Sequence, residues 1–176
     1  NMNFSSPKML DTYDGMYPIF PRPALPAWIE TASAKGFDLV SRISDRYHLG
    51  LRCRRCGALN KVKLFILMNN YPHCHACIEH EWRADADAAG LEFLHRDPTD
   101  RHAANYRAPC GHELRRQTGL IKRVAGGATG LRCEICQAAT EAAEAQARGW
   151  TLVGPDPTGN ANYRGYRHDV CGQTHR

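Results

Sequence analysis

The chain has 176 residues, room for one ordinary domain or several very small ones, and at 43% hydrophobic a single large core is not its natural reading. No apolar run is long enough to span a membrane and no charged-then-apolar leader opens the sequence, which points to the cytoplasm. In that reducing compartment eight cysteines, several paired as CxxC, speak for metal ligation over disulfides, and a net charge of +5 is compatible with a nucleic-acid partner.

Residues 1–25, "NMNFSSPKMLDTYDGMYPIFPRPAL", carry prolines at 7, 18, 21 and 23 and show no periodicity, so they predict an extended Pro-rich arm. Pro26 then suits the first turn of a helix to about Lys35, with Trp28 and Ala32 on one face. From there the chain repeats itself. "ASAKGFDLV" (32–40), "ADAAGLEFL" (86–94) and "AQARGWTLV" (145–153) each read as a helix end, a closing glycine (Gly36, Gly90, Gly149) and a strand. A Cys-Gly pair follows each, at Cys56, Cys110 and Cys171. "CHAC" (74–77) and "CEIC" (133–136) then open helical patterns, with Ile78, Trp82 and Ala86 on one face of the first. "DPTDRHAANYR" (97–107) is echoed by "DPTGNANYR" (156–164).

The predicted repeat is therefore strand, knuckle, hairpin, CxxC, helix and glycine, with a period of 54 to 61 residues between matching glycines or cysteines. The fold class is small α+β modules stabilised by zinc. A first zinc module covers 26–90 and a second 91–149. An incomplete third covers 150–176, where the sequence stops after the knuckle.

Zinc takes four thiolate or imidazole ligands in a tetrahedron. Copy one supplies Cys53, Cys56, Cys74 and Cys77, which close a shell and leave His73 and His75 as surface residues beside it. Copy two supplies Cys110, Cys133 and Cys136; His112 is the fourth ligand by its place in the knuckle, with His102 as rival. In copy three His168 stands three residues before Cys171, as Cys53 stands before Cys56. Two donors make only a partial site, which His175 or a neighbouring chain would have to complete. Two structural zinc ions follow. Catalytic zinc keeps a position open for water, whereas these shells close at four. "HEL" at 112–114 is not HExxH, since Arg116 stands where the second histidine belongs, and Glu79 and Glu81 read as solvated helix-surface acids.

Charge is split along the chain. Residues 51–73 hold Arg52, Arg54, Arg55, Lys61 and Lys63 without an acid; residues 107–132 hold Arg107, Arg115, Arg116, Lys122, Arg123 and Arg132 against Glu113 alone. The helix from 77 to 89 is acidic. Concentrated cations of this kind suit phosphates, which makes Arg52, Arg54, Arg55, Lys61, Lys63, Arg115, Arg116, Lys122 and Arg123 the expected nucleic-acid contacts. "GGATG" (126–130) would form a hairpin tip able to approach a backbone closely, and Tyr47, Tyr106, Tyr163 and Tyr166 either stack on bases or pack.

The order of knuckle, hairpin and helix-opening CxxC resembles a treble-clef zinc finger. "NYRAPCGH…GLRCEIC" is similar to zinc-binding repeats found beside nuclease domains in phage and mobile-element proteins. The resemblance covers roughly residues 30–176. It implies tandem treble-clef-like modules serving as a DNA-binding accessory. No His-Asn-His arrangement of the kind that makes some treble clefs nucleases is present, so catalysis would lie outside this chain. The expected function is a tandem zinc-finger protein binding nucleic acid, DNA in the first place. The alternatives are a protein-interaction adaptor and an accessory fragment of a nuclease. The oligomeric state stays open.

Overall fold

The computed structural model describes residues 5–176 as a small α+β protein of short helices and small antiparallel sheets. The chain divides into two compact units, Asn1–Trp82 and Arg83–Arg176.

The first unit opens with β1 (Met9–Thr12) and β2 (Gly15–Pro18), followed by α1 (Pro26–Ala34). A meander of β3 (Phe37–Ile43), β4 (His48–Cys53) and β5 (Leu59–Lys63) comes next. α2 (Leu64–Asn69) and the start of α3 (His75–Ala88) complete it. Leu49, Leu51 and Cys53 alternate inward along β4 and form the core with Ala32, Phe37, Val62 and Leu67. α1 begins, as its sequence predicts, with proline in the first turn, where the missing N–H costs nothing.

Of the extended arm expected over residues 1–25, residues 1–4 lie outside the described residues, and Met9–Pro18 form a hairpin. Thr12 pairs with Gly15 across a two-residue turn, Tyr13-Asp14, and the resulting hairpin docks on the sheet. The Tyr13 N–H donates to the Leu59 carbonyl at 2.8 Å. Leu10 lies so close over Gly50 that a Cβ there would meet its Cδ2 at 2.6 Å. The prolines that argue against a strand stand at the hairpin's end or beyond it, where no ladder hydrogen bond is lost.

Nor does a hairpin follow each knuckle. The knuckle is itself the turn between β4 and β5, and the apolar run after β5 closes into α2, burying Leu67. Lys35 Nζ donates to the carbonyls of Leu67 and Asn70 at 2.6 Å each and so satisfies the end of that short helix.

The second unit begins within α3 and holds a meander of β6 (Glu92–Arg96), β7 (Ala103–Arg107) and β8 (Glu113–Gln117). α4 (Thr118–Ala125) and α5 (Glu134–Ala147) follow, then a third meander of β9 (Trp150–Pro155), β10 (Arg164–His168) and β11 (Thr174–His175). "GGATG" is therefore no hairpin tip; Gly126 caps α4 and Gly127 turns the chain at φ +77°. Ala86, Leu91, Phe93, Tyr106, Leu114 and Ile121 are buried here, with Phe93 and Tyr106 edge to face at 5.7 Å. α5 packs on β9, burying Ala145, and Glu141 pairs with Arg164 at 3.2 Å.

The three meanders share a register shift at the same repeat position. Val40, Leu94 and Val153 each bulge from the first strand, four residues after the glycine that ends the preceding helix. The repeated "DPT" also acquires a role. Asp97 Oδ1 accepts from the Thr99 N–H and hydroxyl at 2.7 Å and the Asp100 N–H at 2.9 Å, while its other oxygen binds Arg115. Asp156 likewise caps its loop through Thr158 and Asn160, with Arg176 at 4.0 Å. Arg115 and Arg176 both stand five residues past the Cys-Gly cysteine.

Candidate metal centres

Cys53 ends β4, and its N–H donates to the Ala58 carbonyl at 2.9 Å across the knuckle. The Gly57 N–H returns to the Cys53 carbonyl at 2.8 Å with Gly57 at φ +79°, a conformation that favours glycine. This tight turn brings Cys56 beside Cys53. Cys74 and Cys77 come from the opening turn of α3, so all four sulfurs lie within 4.8 Å of one another.

The separations match a tetrahedron. With Zn–S of about 2.3 Å, two sulfurs stand about 3.8 Å apart; with Zn–N of about 2.0–2.1 Å, a sulfur and a nitrogen stand about 3.5 Å apart. Cys53 and Cys77 are separated by 3.9 Å, and Cys56 and Cys74 by 3.4 Å. In the second cluster, His112 Nδ1 lies 3.4 Å from Cys110, 3.5 Å from Cys133 and 3.3 Å from Cys136. His112 thus stands in the cluster through Nδ1. His102 is elsewhere, its Nε2 taken by Arg101 at 3.2 Å.

The shortened second knuckle explains the change of ligand. Ala108 N–H closes on the His112 carbonyl at 2.9 Å, a loop one residue tighter than the one from Cys53 to Ala58. The position of Cys53 falls to Ala108, and the donor moves to the far side of Cys110.

Four thiols this close cannot all ionise without a cation. Burial opposes ionisation of Cys74, yet the Cys77 amide, the Asn60 carboxamide and the neighbouring thiols outweigh it and bring the thiol down to about 7. Burial and then the surrounding thiols push Cys77 up to about 12. In the second cluster the Cys136 amide brings Cys133 down to about 7, while Cys110 and Cys133 push Cys136 up to about 11. Cys133 is also the N-cap of α5, where the helix dipole favours a thiolate.

Asn60 is a supporting residue that spacing did not reveal. Fully buried on β5, it donates through Nδ2 to Cys74 Sγ at 3.4 Å and accepts the His75 N–H on Oδ1 at 2.9 Å. It orients one ligand and the turn that carries it. His75 bonds Asp14 of the N-terminal hairpin at 2.6 Å, and Glu79 accepts from Tyr13 there at 2.5 Å; His73 is exposed.

In the third knuckle, His168 and Cys171 approach within 3.2 Å, but among the described residues only the first two clusters gather three or more donors.

Several of the expected phosphate contacts also bond within the fold. Arg54 pairs with Asp38 and reaches Ser33; Arg115 binds Asp97; Arg116 grips both oxygens of Glu134 at 2.6 Å and the Arg132 carbonyl at 3.0 Å, tying β8 to the start of α5. Lys61 stacks on Tyr17 at 3.9 Å. Arg52, Arg55, Lys63, Lys122 and Arg123 are exposed, the last two on α4. Tyr106 is buried and packs.

Two closed centres on small α+β units define a zinc-binding protein, with donor sets and geometry that fit two structural zinc ions. No family model, no curated protein and no solved structure matches the chain. No helix among the described residues is long and apolar enough to cross a membrane.

Proposed function

We propose that the chain is a tandem zinc-finger protein of treble-clef type that binds nucleic acid, DNA in the first place, working in the cytoplasm where its thiols stay reduced. A knuckle and a helix-opening CxxC sharing one ion support the treble-clef reading, with α2 and α4 standing where a treble clef has its second hairpin. Both centres close at four protein ligands, so the ions would shape a surface and leave no coordination position for chemistry.

One groove carries the nucleic-acid reading. Tyr47 and Phe65 are 56% and 66% exposed and line a cavity of about 590 Å³ with Lys63, Leu64 and Met68. The Arg46 guanidinium lies 4.9 Å from the Tyr47 ring centre. Exposed rings beside cations offer stacking for bases and charge for phosphates together. The same groove, with Met68 exposed, supports the second reading, a protein-interaction adaptor.

The test is a titration against duplex DNA, single-stranded DNA and RNA at two salt concentrations. Replacing Arg52, Arg55, Lys63, Lys122 and Arg123 together should weaken binding to all sequences alike and flatten the duplex salt slope by about 0.9 per lost contact. Replacing Tyr47 and Phe65 should weaken binding without changing that slope. No binding by the wild type at low salt leaves the adaptor.

A further inference from the structure

We infer, resting on the DNA reading proposed above, that the groove of the first unit takes unpaired bases, so that the chain holds single-stranded DNA there in preference to duplex. Tyr47 and Phe65 both stand exposed on this groove, with Lys63 beside them. Bases inside a duplex are stacked on one another and offer no free face. Bases of a single strand do, and aromatic side chains with cations nearby hold them.

The backbone sets the two rings together. Tyr47 directly precedes β4 and Phe65 lies in the first turn of α2. The Leu64 N–H donates to the Tyr47 carbonyl at 2.7 Å, next to the His48–Lys63 pair that ends the ladder. Asp45, the one acid of this turn, is engaged on Oδ1 by the Tyr47 N–H at 2.7 Å and by His48 Nδ1 at 2.8 Å. No acidic residue lines the groove. Lys63 on its wall and the Arg46 guanidinium on the Tyr47 ring supply positive charge for the phosphates that accompany the bases.

The second repeat carries the same scaffold without the rings. There the Thr118 N–H donates to the His102 carbonyl at 2.8 Å, and His102 stands six residues before Ala108 as Tyr47 stands six before Cys53. Leu67 and Ile121 then match as the buried residue of each short helix. Phe65 falls on Gly119, where a Cβ would meet nothing within 4 Å, and Met68 and Asn69 fall on the exposed Lys122 and Arg123. One scaffold thus presents rings in the first repeat and cations in the second. The rings suit unpaired bases; the cations suit the phosphates of single strand and duplex alike.

The experiment is fluorescence anisotropy of the zinc-loaded chain with labelled oligothymidylate, oligouridylate and a mixed-sequence DNA duplex of equal length. Oligothymidylate should bind most tightly. Tyr47→Ala and Phe65→Ala should each weaken it about 5- to 150-fold, the range for one lost base stack, with duplex affinity and zinc content unchanged. Lys122→Ala with Arg123→Ala should weaken single strand and duplex alike. His102→Tyr with Gly119→Phe should build a second groove and raise the affinity for oligothymidylate alone. Duplex bound as tightly as oligothymidylate, or ring variants that lose nothing, would overturn the inference and leave the DNA reading standing. Tighter binding of oligouridylate would overturn the choice of DNA over RNA. Binding of none of the three would overturn the DNA reading itself, and the inference with it.

Discussion

Asn60→Ala tests whether a buried carboxamide tunes the first zinc centre. The variant removes the donor to Cys74 and leaves the His75 N–H without its acceptor. A bond to a charged group contributes about 1.5–3 kcal/mol and an abandoned buried donor costs about 1–3 kcal/mol. The half-buried position of His75 favours the low end of the second figure. Supporting bonds of this kind shift metal affinity by about 10–100-fold, or about 1.4–2.7 kcal/mol, and the rest of the loss falls on the stability of the unit. Asn60→Leu separates hydrogen bonding from volume, because Leu114 holds the matching place in β8 beside the second centre. Zinc with four thiolates is formally doubly negative and with three thiolates and an imidazole singly so, which explains why the first centre recruits a donor where the second has a leucine. Competition with a chromophoric chelator in a His112→Ala background reads the first centre alone. Both Asn60 variants should lose affinity, the leucine variant with the smaller loss of stability. An unchanged zinc affinity in Asn60→Ala would refute the reasoning and reduce Asn60 to core packing.

Cys74→Ser should release the first zinc and abolish amide protection along β4 and β5, since a small core depends on its metal; hydrogen exchange checks this, and preserved protection would contradict it. His112→Ala should remove one zinc per chain by elemental analysis, whereas His102→Ala should remove none.

The zinc ligands were readable because CxxC and Cys-Gly spacings encode local turns, and ligation needs little beyond those turns. The closing glycines were readable for the same reason: Gly36, Gly90 and Gly149 adopt φ of +87°, +77° and +79°. What escaped depends on side chains distant in sequence. Nothing around Arg116 announces Glu134, nor around Arg54 the distant Asp38, so these ion pairs show only in the folded chain. The N-terminal hairpin escaped because its strands are only four residues each and prolines surround them. α2 escaped because a six-residue apolar run fits strand and helix equally, and its packing decides.

The helix that opens at a CxxC does not finish its work at the metal. α5 starts with Cys133 as its cap, and its far end buries Ala145 while Glu141 pairs with Arg164 of the third sheet. Ion-centred and packing-centred repeats are thus offset by one helix, like courses of overlapping brick. A deletion in frame with the zinc ligands, cut at Gly149, would leave a complete metal centre on one side and strip β9 of its cover on the other. Cooperativity in this unit consequently runs through a shared helix, and loss of the second ion should loosen a sheet that contributes no ligand to it.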